Sequence, residues 1–254
     1  FYLVPMLCYS QTWIITEADN SVTYIGQDWV KSVTGDMENM GDMDATEEAR
    51  TTSIYSLRSN IMIMINEDDM TYAKGSSDDF CIGMKSIYDD MYKGMPADQV
   101  KMMSDMIAQE KAKPAPKISV QKSGGESIAG FSTTKYSISV NGELFEEKWI
   151  SNDDALKSLI TAINETYKHV NKLAGCGVPD EVFMRNSPEF SPQYQEVEQA
   201  GVEQRSVKYE FGSAERDTDV VSLENENLSA EDFEIPGDYD EIGIKEFFAS
   251  MSGM

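Results

Sequence analysis

STTKYSISVNGELFEEKWI, residues 132–150, is the stretch whose reading decides the fold. Asn141-Gly142 takes positive φ at both central positions of a two-residue turn, and the twist of such a turn matches that of paired strands. A two-residue loop sets Ile138 opposite Phe145, Tyr136 opposite Glu147 and Thr134 opposite Trp149. Strict alternation then predicts one apolar face carrying Tyr136, Ile138, Phe145 and Trp149. The opposite, wet face carries Ser137, Ser139, Glu146 and Lys148.

Working outward, helical spacing follows the hairpin and precedes it. Asn152-Asp153-Asp154 caps a segment with Leu156, Leu159, Ile160, Ile163, Tyr167, Val170 and Leu173 on one stripe, ended by Gly175. Upstream, Ser77-Asp78-Asp79 starts a helix whose face is Phe80, Met84, Ile87, Tyr88 and Met91, ended by Gly94. Pro96 opens a further helix with Val100, Met103 and Ile107 on one side. The segment KAKPAPK, residues 111–117, cannot continue it, because each proline lacks a donor and restricts the residue before it.

Short strands fit residues 12–33, with turns at Asp19-Asn20 and Gly26-Gln27-Asp28. Ile61, Ile63 and Ile65 alternate with Met62 and Met64, so that strand has two apolar faces and should be covered on both. The acidic turn 66–69 leads into a hairpin partner at 70–73. Val207, Tyr209 and Phe211 alternate as a strand, 220–223 gives another, and a short helix lies near Gln195. Ser229 and Asp232 read as a capping box before Phe233.

Composition narrows the function. Asp and Glu outnumber Lys and Arg by 45 to 21, for a net charge of −24. Such a surface repels phosphate backbones, which argues against a nucleic-acid partner. No run of eighteen apolar residues exists, so no transmembrane helix is expected. Residues 1–11 read as the tail of a secretory signal, with a first buried strand as the alternative. Residues 12–246 read as a single domain and 247–254 as a frayed tail. Cys81 and Cys176 can pair in an oxidising compartment or stay as separate buried thiols. The lone His169 lies in the Leu156–Leu173 helix without a catalytic motif around it, and neither a cofactor nor a reaction is expected.

The segments around Met95, Pro96, Gln99, Met102, Met103 and Met106, then Ile128, Gly130, Lys135, Tyr136, Val140, Gly142 and Trp149, form a recognisable series. With the closing phrase FEIPGDY at 233–239, that series resembles the domain of unknown function 4412 family. The likeness runs from about Val22 to Ile244. Ser132-Thr133-Thr134 stands where the family commonly has a cysteine. The resemblance implies a secreted or cell-envelope protein with a fold similar to lipoprotein-localisation (Lol-type) carriers, which often hold acyl chains. It implies no reaction and no catalytic residue.

Taken together, the expected architecture is α+β: a curved antiparallel β-sheet, an incomplete barrel, with two or three helices covering its open side. The expected role is non-enzymatic carriage of an apolar small molecule or lipid. Tyr136, Ile138, Phe145, Trp149, Met103 and Ile107 are the candidate ligand-binding residues, because flexible Met and aromatic side chains accept an acyl chain without a close shape match. A structural or assembly protein pairing with a protein partner through its sheet edges is one alternative. Another is Cu(I) handling at Met37, Met40 and Met43, since thioethers select soft ions. A calcium loop over Asp36 to Glu47 is a weaker match, because Met40 stands where an oxygen ligand belongs.

Overall fold

In the computed structural model, residues 10–26, 28–34, 51–174, 186–210, 213–235 and 237–251 are described. The strands are β1 (Ser10–Glu17), β2 (Val22–Ile25), β3 (Trp29–Val33), β4 (Thr51–Ser56), β5 (Ile61–Asn66) and β6 (Thr71–Ser76). They continue as β7 (Ile118–Ile128), β8 (Phe131–Val140), β9 (Glu143–Ser151), β10 (Val202–Glu210), β11 (Ser213–Leu228) and β12 (Asp240–Glu241). All join one sheet in the order β12-β6-β5-β4-β3-β2-β1-β11-β10-β9-β8-β7. Every neighbouring pair is antiparallel except β12 with β6. The sheet curves without closing, so β7 and β12 remain its edges.

Among the described residues five α-helices accompany it, where two or three were expected: α1 (Ser77–Gly94), α2 (Ala97–Ala112), α3 (Lys157–Ala174), α4 (Pro192–Glu198) and α5 (Ile244–Met251). None among the described residues is long and apolar enough to cross a membrane. At α1 the cap is Ser76, one residue before the start read from sequence at Ser77. There Ser76 Oγ accepts from the Asp79 amide at 3.2 Å, while the Asp79 carboxylate accepts from the Ser76 amide at 2.8 Å.

The helices divide over the sheet by side-chain alternation. We call the face under α3 the inner one. Met62, Met64 and Ala73 on that face pack with Phe80 of α1 and with Phe247 and Phe248 of α5. Ile54, Ile63 and Ile65 on the outer face are covered by Ile235 and Tyr239. The two-sided burial expected of the Ile/Met strand is therefore present. In the middle, Leu156 and Leu159 lock the start of α3 onto Ile15, Ile25, Val30, Val202 and Val220. At the far end, Tyr194 and Val197 of α4 sit on Tyr136, Ile138 and Ile150.

Three expectations need correction. The frayed tail assigned to 247–254 begins as α5, and Phe247 is wholly buried. Apolar residues at helical spacing (Ile244, Phe247, Phe248, Met251) give α5 a face to bury. Residues 10 and 11, placed with a signal remnant, already pair with β11 as the start of β1. The third concerns the deciding hairpin. Its turn forms as read, with φ of 55° at Asn141 and 92° at Gly142. Its register does not follow strict alternation: Ser139 faces Leu144, then Ile138 faces Glu146, so Phe145 is an extra residue in β9.

That bulge carries the main structural consequence. Beyond it Tyr136 faces Lys148, Thr134 faces Ile150 and Lys135 faces Trp149. A one-residue slip exchanges the faces of every later side chain. Glu146 and Lys148, expected in water, enter the inner face beside Tyr136 and Ile138. Trp149, expected among them, moves to the outer face.

Candidate functional site

Between α3 and the inner face lies a cleft of about 260 Å³, near the lower end of small-molecule sites. Its apolar wall is Ile15, Ile25, Val30, Ile163, Val202 and Val220. These come from β1, β2, β3, α3, β10 and β11, elements that only sheet curvature brings to one place. Hydroxyls of Thr23, Thr166 and Thr218 interrupt the wall, and the carboxylates of Glu17, Glu198 and Glu203 complete it.

Gly201 shapes the same region. A Cβ there would lie 2.2 Å from the carbonyl oxygen of Ser151, so only glycine lets β10 approach β9 this closely where α4 hands over to β10.

Behind the carboxylates is a buried ionic cluster built by the Phe145 bulge. Lys148 Nζ lies 2.6 Å from Glu198 Oε1, 2.6 Å from Glu203 Oε2 and 3.3 Å from Glu146 Oε1. The Lys148 side chain is only 6% exposed and that of Glu146 is 0% exposed, so water screens this contact little. Tyr194 donates its hydroxyl to Glu146 Oε2 at 2.6 Å, and the Lys148 ammonium lies 5.1 Å from the Tyr194 ring centre. Burial raises the Glu146 carboxyl above the ordinary range, against the pull of Lys148 and Tyr194. For Lys148 burial works downward, but Glu203, Glu198, Tyr194 and Glu146 outweigh it and the net direction is up. Desolvation, with the Glu146 and Glu198 charges and the bond to Glu146, raises the Tyr194 phenol against the opposing pull of Lys148. The ammonium is thus held charged. Gln204, wholly buried directly after Glu203, has neither end of its amide hydrogen-bonded among the described residues.

A second cleft, also about 260 Å³, lies under α4 and is lined by Val120, Lys122, Tyr136, Gln193, Glu196 and Val197. Lys122 sits 5.2 Å from the Tyr136 ring centre, which places a cation in that wall.

The residues singled out from sequence scatter accordingly. Tyr136 and Ile138 are buried under α4, Phe145 packs against them at the bulge, and of these only Tyr136 lines a cleft. Trp149 lies on the outer face between Lys135 at 4.7 Å and Arg205 at 5.8 Å. Met103 and Ile107 line neither cleft, because α2 buries none of its residues in this structure. Their apolar stripe is narrow, and Met102 and Met106 beside it are 59% and 52% exposed. Met37, Met40 and Met43 and the calcium-like loop fall outside the described residues. The cleft residues that sequence reasoning missed are Glu198 and Glu203, which carry no motif, and Ile15, Ile25 and Val30, readable as strand residues but not as neighbours.

Cys81 is disulfide-bonded, with its partner outside the described residues. No protein-family model matches this chain, and no curated protein matches it in sequence.

Proposed function

We propose that this chain is a non-enzymatic carrier that holds an apolar ligand in the cleft between α3 and the inner face of its sheet. One observation carries the reading: an unclosed, curved sheet leaves an aliphatic-walled space of about 260 Å³ beneath α3, whose start the core holds in place. Of the described helices, α1, α3, α4 and α5 lie on the inner face, an arrangement that suits an incomplete barrel with a covered open side. The resemblance to the domain of unknown function 4412 family, and through it to Lol-type carriers, supports the same role. A disulfide at Cys81 supports a secreted or cell-envelope location, since such bonds persist mainly in oxidising compartments.

The ionic cluster does not favour an enzyme. Its ammonium is committed to three carboxylates and its phenol to Glu146, so neither Lys148 nor Tyr194 is poised as a base or nucleophile. The test uses N-phenyl-1-naphthylamine, which brightens in apolar sites. Saturable binding of one probe per chain, abolished by Ile163→Trp with helix content unchanged, supports the carrier. Absence of saturable binding overturns it.

The unpaired outer edge of β7, eleven residues long, favours a second reading as an assembly protein pairing by strand addition. A mass in solution that rises with concentration, and returns to that of the monomer when Val120 is replaced by proline, would support this.

A further inference from the structure

Resting on the carrier reading, we infer that the ligand of the α3 cleft is a cationic amphiphile: an aliphatic tail ending in an amine, whose ammonium is received by Glu198 and Glu203. The wall of the cleft sorts its chemistry by position. Six of its thirteen lining residues are aliphatic, every ionisable group on it is a carboxylate, and neither lysine nor arginine lines it. An anionic head group entering this space meets like charge in a poorly screened setting, which costs affinity without any steric clash.

The same region is short of donors. Three carboxylates converge on Lys148, yet only two reach it at 2.6 Å. The third, Glu146, stops at 3.3 Å, and its Oε1 is buried without a hydrogen bond. Lys148 engages Oε1 of Glu198 and Oε2 of Glu203, and among the described residues the second oxygen of each carboxylate is left for another donor. Both belong to the cleft wall. An incoming ammonium supplies three N–H groups to acceptors that Lys148 has already fixed in place, so little ordering is lost on binding. Lys148 cannot act in the converse way for a carboxylate ligand, because its own donors point at Glu198, Glu203 and Glu146. Lys208, cross-strand from Glu146, does not line the cleft.

The second cleft makes the contrast internal to the molecule. Its wall carries one charge of each sign, Lys122 and Glu196, so neither head group meets the purely anionic lining of the α3 cleft.

Calorimetric titration of the full chain at neutral pH and low salt, with decylammonium and decanoate below their micellar concentrations, separates the possibilities. The two probes share a tail and differ in head charge. One site per chain that takes decylammonium at least tenfold more tightly than decanoate is the expected result. Glu203→Gln and Glu198→Gln should each reduce that preference severalfold, whereas Glu224→Gln on the exposed part of β11 should leave it unchanged. The last comparison removes the general attraction of a chain of charge −24 for cations. Equal or tighter binding of decanoate overturns the inference while leaving the carrier intact, as does a preference indifferent to Glu203 and Glu198. If neither probe binds, the carrier reading itself fails.

Discussion

Replacing Lys148 by methionine isolates what the bulge at Phe145 has built. Methionine keeps most of the aliphatic stem, so packing changes little and the lost quantity is the ammonium. Three carboxylates then face one another with side-chain exposures of 0% for Glu146, 9% for Glu198 and 19% for Glu203. At least one must take up a proton for the fold to persist. Holding a carboxyl neutral at pH 7 when its ordinary pKa is about 4.3 costs about 3.7 kcal/mol. That agrees with the roughly 3–5 kcal/mol typical of breaking a buried ion pair from one side.

The pH dependence gives a second handle on the same variant. The folded variant binds more protons than the unfolded chain, because its carboxyl pKa is raised. Its stability therefore falls as pH rises, by about 1.4 kcal/mol per unit for one such proton, between the unfolded pKa near 4.3 and the raised folded value. Urea unfolding at pH 5 and pH 7 reads both numbers, and the deficit against the parent should shrink at pH 5. A deficit below about 1 kcal/mol at pH 7, or one that grows on acidification, would refute a buried, charge-balanced cluster.

Other perturbations test the surrounding structure. Gly83→Val forces a Cβ to within 2.5 Å of Ile244 Cγ2, so α5 should lift from α1, at a cost of about 1–3 kcal/mol seen as a lower Tm and faster proteolysis near Phe247. Ser76→Ala removes the α1 cap and should cost about 1 kcal/mol in chemical denaturation, with Ser76→Thr near neutral. Deleting Phe145 removes the bulge and should drive Lys148 outward and Trp149 inward; indole fluorescence shifted to the blue with loss of cooperative unfolding is the expected signature. Cys81 should resist alkylation in the denatured chain until a reductant is added, and rapid labelling without reductant would contradict the disulfide.

Sequence carried the local chemistry well. Asn141-Gly142 specified its turn, Asn152-Asp153-Asp154 the cap at Asp153, and the Ile/Met alternation of β5 its two covered faces, because each depends on residues near in the chain. The bulge was not legible. Nothing in LFEEKW distinguishes strict alternation from an inserted residue, since both leave apolar and charged side chains on each face. What selects the bulge is distant: α4 brings Glu198 and Tyr194 to meet Lys148 and Glu146, and β10 brings Glu203. The candidate site moved for that reason. The hairpin aromatics were read as the ligand wall, yet the larger aliphatic wall comes from six elements spread from Ile15 to Val220. Met103 and Ile107 show the opposite case, a helical stripe that periodicity makes visible but that is only half-buried and lines neither cleft.

The most direct test of the carrier is crystallographic. Crystals grown with a neutral, bromine-tipped decanol carry an anomalous marker at the end of an apolar tail. The account predicts one bromine peak between α3 and the sheet, within contact of Ile15, Val30, Ile163 or Val202. A peak confined to the cleft under α4, or no ordered bromine at saturating concentration, would contradict it.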